Sequence, residues 1–194
     1  MSRHRIPPGR MTIGTIALTL LLMISCSGNV MAEERCQLKE LESVSASHPE
    51  CLFYSGTAAF REENYSEAAH FWKTLISTQS IPIEYEHLKI SAYNNLGYLY
   101  FFGHGVTPNK KAAIEYWMHA TKAGNEEAPY HLCHAYAEEK EPSYNPGRAL
   151  GFCKEALRRY ELLEEHSEGT EEIVRQLKRY IRKLAQLKQA TSDQ

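Results

Sequence analysis

Between residues 91 and 162 the chain repeats itself. Ala92 returns as Ala128, Leu96 as Leu132, Tyr100 as Tyr136, Ala113 as Ala149 and Ala120 as Ala156, each 36 positions on. Five coincidences at one shift exceed what composition produces. Self-similarity at a period of a few tens of residues marks stacked supersecondary units, none of which buries its apolar face alone. The chain is therefore expected to be built by stacking.

Local patterning says what is stacked. Leu96, Gly97 and Tyr100 fall on one helical face, and Gly97 is small enough to let a partner helix approach. Gly103-His104-Gly105 then supplies the backbone freedom for a tight connection, and Pro108 with Asn109 suits the start of the next helix. The unit is a helical hairpin.

The first copy reads Ala92-Tyr93-Asn94-Asn95-Leu96-Gly97-Tyr98-Leu99-Tyr100-Phe101-Phe102-Gly103-His104-Gly105-Val106, followed by Asn109, Ala113, Tyr116-Trp117, Ala120 and Gly124-Asn125. It resembles the Sel-like repeat, a relative of the tetratricopeptide repeat, with its A-x-x-x-L-G-x-x-Y-x-x-G-x-G-V run and closing A-x-x-G-N. The second copy, 128 to about 162, is degenerate: Cys133 replaces the small glycine, and Glu139-Lys140-Glu141-Pro142 replaces the turn. Upstream, Gly56, Tyr65 and Ala68 stand at the spacing of a single tetratricopeptide unit, and Pro82 separates that unit from a helix starting near Ile83. The fold this implies is all-α: a short solenoid of antiparallel helical hairpins over 51–166.

After it, Ile173, Leu177, Tyr180, Ile181, Leu184 and Leu187 form an apolar stripe behind Thr170 as the N-cap, so 167–194 is expected to be a C-terminal capping helix and tail. Arg175, Lys178, Arg179, Arg182 and Lys183 would then be its solvated face, with contact to a membrane surface or an acidic partner as the alternative.

The N-terminus reads as an export signal over 1–32. Arg3, Arg5 and Arg10 precede an uncharged apolar run from Ile13 to Ile24, which is short for a membrane-spanning helix. Cleavage after Ala32 would leave Glu33 first, with 33–50 as an N-terminal segment. The rival reading makes Cys26 a lipid-bearing residue in the degenerate lipobox Met23-Ile24-Ser25-Cys26, and the chain a lipid-anchored assembly factor on the outer membrane. Of these two readings of the N-terminus, only the second brings in a membrane. The localisation expected is periplasmic or secreted; in a eukaryotic lumen, Asn64-Tyr65-Ser66 would be a glycosylation sequon. The net charge of −2 becomes −5 once the three arginines are removed, a balance that disfavours nucleic acid as a partner.

Processing at either point leaves Cys36, Cys51, Cys133 and Cys153, an even number that allows three disulfide connectivities. In the hairpin that the resemblance implies, Cys133 and Cys153 sit where two antiparallel helices face each other, and Cys36 with Cys51 is left by exclusion.

No catalytic chemistry is legible. G-x-S-x-G, H-E-x-x-H and G-x-x-x-x-G-K-[ST] are all missing, and His131-Leu132-Cys133-His134 lacks a second ligand pair for a metal. No cofactor is expected. Some cysteine-rich Sel-like repeat proteins bind or slowly hydrolyse β-lactams, but the cysteine spacing here departs from theirs and supplies no nucleophile. The resemblance instead implies an adaptor or scaffold that binds a protein or peptide in the concave face lined by first helices. By analogy with tetratricopeptide grooves, that wall is expected to hold Asn94, Asn95, Tyr98, Phe101 and Phe102 in the clear copy. Tyr130, His131 and His134 follow in the second, and Phe53, Tyr54, Thr57 and Arg61 in the upstream unit. Amide groups there would bond a peptide backbone while the rings bury apolar area.

Overall fold

Pro49 opens the first helix where a missing N–H costs nothing, and from there a computed structural model describes residues 48–163 and 167–192. Among these are seven α-helices and no strand: α1 (Pro49–Arg61), α2 (Tyr65–Ser77), α3 (Glu86–Phe102), α4 (Lys110–Lys122), α5 (Ala128–Ala137), α6 (Pro146–Glu161) and α7 (Glu168–Ser192). The helix expected near Ile83 starts as a 3-10 turn, Ile83–Tyr85, before α3. The expected export segment, Cys26 and Cys36 lie outside the described residues.

Each helix packs on the next, α1 on α2, α3 on α4 and α5 on α6, and these hairpins stack in chain order to form an all-α helical solenoid. First helices also approach each other, α1 with α3 and α5 with α7, and no pair of second helices does so to the same extent. The second helices therefore splay outward, and the first helices line the inside of the curve.

The 36-residue period survives as atomic detail. Asn109 caps α4 by accepting from Ala112 N at 3.0 Å, and Asn145 caps α6 by accepting from Arg148 N at 3.0 Å. The same two asparagines donate their own N–H groups to Tyr100 O and Tyr136 O, each at 2.9 Å, closing the two hairpin turns alike. Gly103 and Gly105 take the left-handed φ values of 75° and 64° that their turn demands. A Cβ on Gly105 would stand 2.2 Å from Ser66 N, so this turn seats on the start of α2.

Each hairpin is locked at its centre by one cross-helix pair. Gly56 faces the Trp72 indole and Gly97 the Trp117 indole. Each ring donates its Nε1–H to the carbonyl three residues before the glycine, Phe53 O at 3.2 Å and Asn94 O at 3.1 Å. One period after Gly97 and Trp117 stand Cys133 and Cys153, and they are joined in a disulfide with Cα atoms 4.7 Å apart. The third hairpin thus uses a covalent bond where the other two use a glycine against an indole. Cys51 is disulfide-bonded as well; the expected partner, Cys36, is not among the described residues.

Two apolar clusters result. One is built on Trp72, Leu75, Leu96 and Leu99, the other on Trp117, Leu132, the Cys133–Cys153 disulfide and Tyr160. The second is finished by α7, which takes the place of a fourth first helix and buries Leu177 and Leu184 against α6. It is the capping helix, with Ser167 rather than Thr170 as its cap: Ser167 Oγ accepts from Thr170 N at 3.2 Å.

Candidate functional site: the aromatic inner wall

The inside of the curve is faced by α3, which turns about 100° per residue. On that count Ser91, Asn95, Tyr98 and Phe102 form one stripe, while Asn94 and Phe101 point well to its side. The structure follows this geometry. Phe102 is 52% exposed and Tyr98 and Asn95 are partly buried, whereas Asn94 is 4% and Phe101 5% exposed. The expectation that Asn94 and Phe101 belong to the wall is corrected. Phe101 packs on Trp117 with ring centroids 5.2 Å apart, and Asn94 uses its side-chain amide to donate to Glu127 at 3.1 Å.

Tyr98 is the hub. Its ring centroid lies 6.0 Å from Phe60 of the first hairpin, 4.8 Å from Phe102, 5.7 Å from His104 and 6.5 Å from His131 of the third hairpin. The file continues on both sides. His104 lies 4.9 Å from Tyr65, and His131 stacks on Trp117 at 4.9 Å with the planes 14° apart. Tyr130 follows, 5.5 Å from His131. Rings from all three hairpins therefore form one continuous surface with Phe102 as its most exposed member, a combination of rigid area and polar edges suited to binding.

Burial, and secondarily His134, pushes the His131 pKa down to about 4, so this ring is neutral near pH 7. As a neutral imidazole it both donates and accepts.

The wall ends where α7 crosses it. Tyr130 donates its hydroxyl to Gln176 Oε1 at 2.9 Å, Tyr180 donates to Glu138, and the His134 ring meets Tyr180 edge-on at 6.2 Å. Tyr130 and His134 thus serve partly as the seat of the capping helix. The upstream residues sit differently again. Thr57 returns its hydroxyl to Phe53 O at 3.0 Å, so it is spent within α1. Phe53 and Tyr54 pack on one another at 5.4 Å, and among the described residues neither ring joins the Tyr98 file. Arg61 is exposed at the end of α1.

The chain matches no family model, no curated protein and no solved structure. Its site is therefore read from its own geometry. Phe60, His104 and Tyr180 belong to it and carry no signal in the repeat pattern, whereas Tyr65 stands at a repeat position that the pattern marks for packing and not for a surface; only His104, held between two turn glycines, stands at a place where the sequence marks a surface. Among the described residues, no group of three His, Cys, Asp or Glu is placed to hold a metal ion.

Proposed function

We propose that the chain is an exported protein-binding adaptor whose concave aromatic wall takes an extended segment of a partner protein. The observation that carries this is Phe102, exposed against Tyr98, whose ring joins a surface contributed by all three hairpins. A large exposed aromatic on an aromatic floor is the usual anatomy of a binding hot spot, and Asn95, two turns earlier on the same stripe of α3, offers an amide for a peptide backbone. The resemblance to Sel-like and tetratricopeptide repeats supports the same reading, as does the buried disulfide, a feature of oxidising compartments. No described helix is long and apolar enough to cross a membrane.

Site-specific photo-crosslinking in the native host tests this. A photoreactive side chain at Phe102 or Asn95 is expected to capture one and the same protein, and a probe at exposed Lys154 on α6 is expected not to. Capture at all three positions, or at none, would defeat the proposal. Intact-mass measurement of the exported chain separates its two forms, free from Glu33 or tethered through Cys26.

A further inference from the structure

The outer face carries a second surface of different chemistry. Between α4 and the start of α6 lies an open trough of about 780 Å³. Its floor is apolar, made by Ile114, Met118 and Tyr136, and Met118 remains 38% exposed. Its rim is basic. Four cationic side chains and a single acid, Glu115, line it, in a chain whose net charge is −2.

The order of these groups along α4 is informative. Lys111, Ile114, Met118 and Lys122 recur at three- and four-residue steps and so form one stripe, apolar in the middle with a lysine at each end. Lys110 is already committed to an ion pair with Glu141 and lies over the Phe101 ring, and Arg148 stacks on Tyr136 while donating to its hydroxyl at 3.0 Å. Lys111 and Lys122 are exposed at the two ends. Glu115 stands between them and disfavours an anion at mid-trough.

We infer that this trough binds a short acidic segment of a partner protein, with carboxylates at both ends and bulky apolar side chains between them. Lys111 and Lys122 are eleven residues apart, a rise of about 16 Å along the helix. An extended peptide covers that distance in about five residues, so the two acids belong about five positions apart. An open trough suits a peptide better than an acyl chain, which needs enclosure. This inference is independent of the inner wall, since no residue is shared between the two surfaces.

The test is fluorescence anisotropy with a labelled hexapeptide carrying glutamate at each end and two central leucines, titrated with the purified exported chain. Saturable binding that weakens with added salt is expected. Lys111→Glu with Lys122→Glu should weaken it at least about tenfold, since two favourable ion pairs become two repulsions. Met118→Asp should also weaken it, with helicity by circular dichroism unchanged in both variants. Moving the glutamates to the centre of the peptide should weaken binding too, and Phe102→Ser should not. Absence of saturable binding overturns the inference, as does equal binding of a lysine-ended peptide, displacement by dodecanoate in preference to the peptide, or loss of binding in Phe102→Ser.

Discussion

Gly97 and Trp117 approach so closely that a single added carbon does not fit: a Cβ on Gly97 would stand 2.4 Å from the indole nitrogen. The indole is fully buried and its N–H is bonded to Asn94 O, so it has nowhere to move. Helix propensity favours alanine over glycine by about 1 kcal/mol, whereas overpacking a rigid core costs about 1–3 kcal/mol or more. The clash wins.

Gly97→Ala is therefore expected to destabilise the chain by about 1–2 kcal/mol net, and Gly56→Ala, whose Cβ would meet Trp72 at 2.5 Å, by a similar amount. Gly151→Ala is the control. It lies exposed on α6 with nothing within 4 Å, and is expected to stabilise by about 0.5–1 kcal/mol. Urea unfolding of the three variants decides the matter, and the same sign for all three would refute the packing argument.

Both sulfurs of the Cys133–Cys153 pair belong to residues with no exposed surface. A thiol reductant must wait for the hairpin to open, so reduction is expected to be slow in native buffer and rapid at the onset of denaturation. Replacing both cysteines by alanine should cost about 3 kcal/mol on the chain-entropy argument for a loop of this length. Mass spectrometry after timed alkylation measures the first effect, and a denaturant midpoint the second.

The depressed His131 pKa makes stability depend on pH with a definite sign. The unfolded chain takes up this proton near pH 6.5, but the folded chain resists until about pH 4. Across that window the unfolded state holds more protons, so stability is complete above pH 6.5 and falls as the pH is lowered, by at most about 1.4 kcal/mol per unit. Glu155, held down to about 2 by hydrogen bonds from Arg158 and Arg159, works in a different range and loses its contribution only below pH 4.5. Thermal melts between pH 7 and pH 4.5 should show the slope in the parent chain and a flatter profile in His131→Phe. Identical profiles would mean that His131 is not the group responsible.

Leu177 is buried where α7 closes the last hairpin. Leu177→Ala should cost about 2–4 kcal/mol by leaving a cavity there. Arg175→Ala, which removes exposed pairs with Glu171 and Glu172, should change stability by less than about 1 kcal/mol. If the two variants unfold alike, α7 is not packed as a cap.

The hairpins, their order and the capping helix were legible before any coordinates, because the 36-residue period and the apolar stripes are local properties of the chain. The glycine turn of α3 and the Asn109 cap were legible for the same reason. The wall was only partly so. The tetratricopeptide analogy places Asn94 and Phe101 on it together with Asn95 and Phe102, yet one residue along a helix is 100° around it, and both turn into the core. Tyr65 and Phe60 entered the wall from another hairpin, a contact no local pattern encodes.

What the sequence determined by itself is the architecture: the repeat length, the helical faces, and the small residue that each hairpin places at its crossing. Which rings meet was decided by the tertiary structure, since Tyr98 touches Phe60 and His131 only once three hairpins are stacked. The period alone sets Cys133 and Cys153 in register with Gly97 and Trp117, but only tertiary structure revealed that Gly97 and Trp117 meet, making the disulfide a substitute for the glycine–indole pair. The physical reason is range. Periodicity and turn chemistry act within a few residues along the chain, whereas a binding surface is made of side chains that only packing brings together.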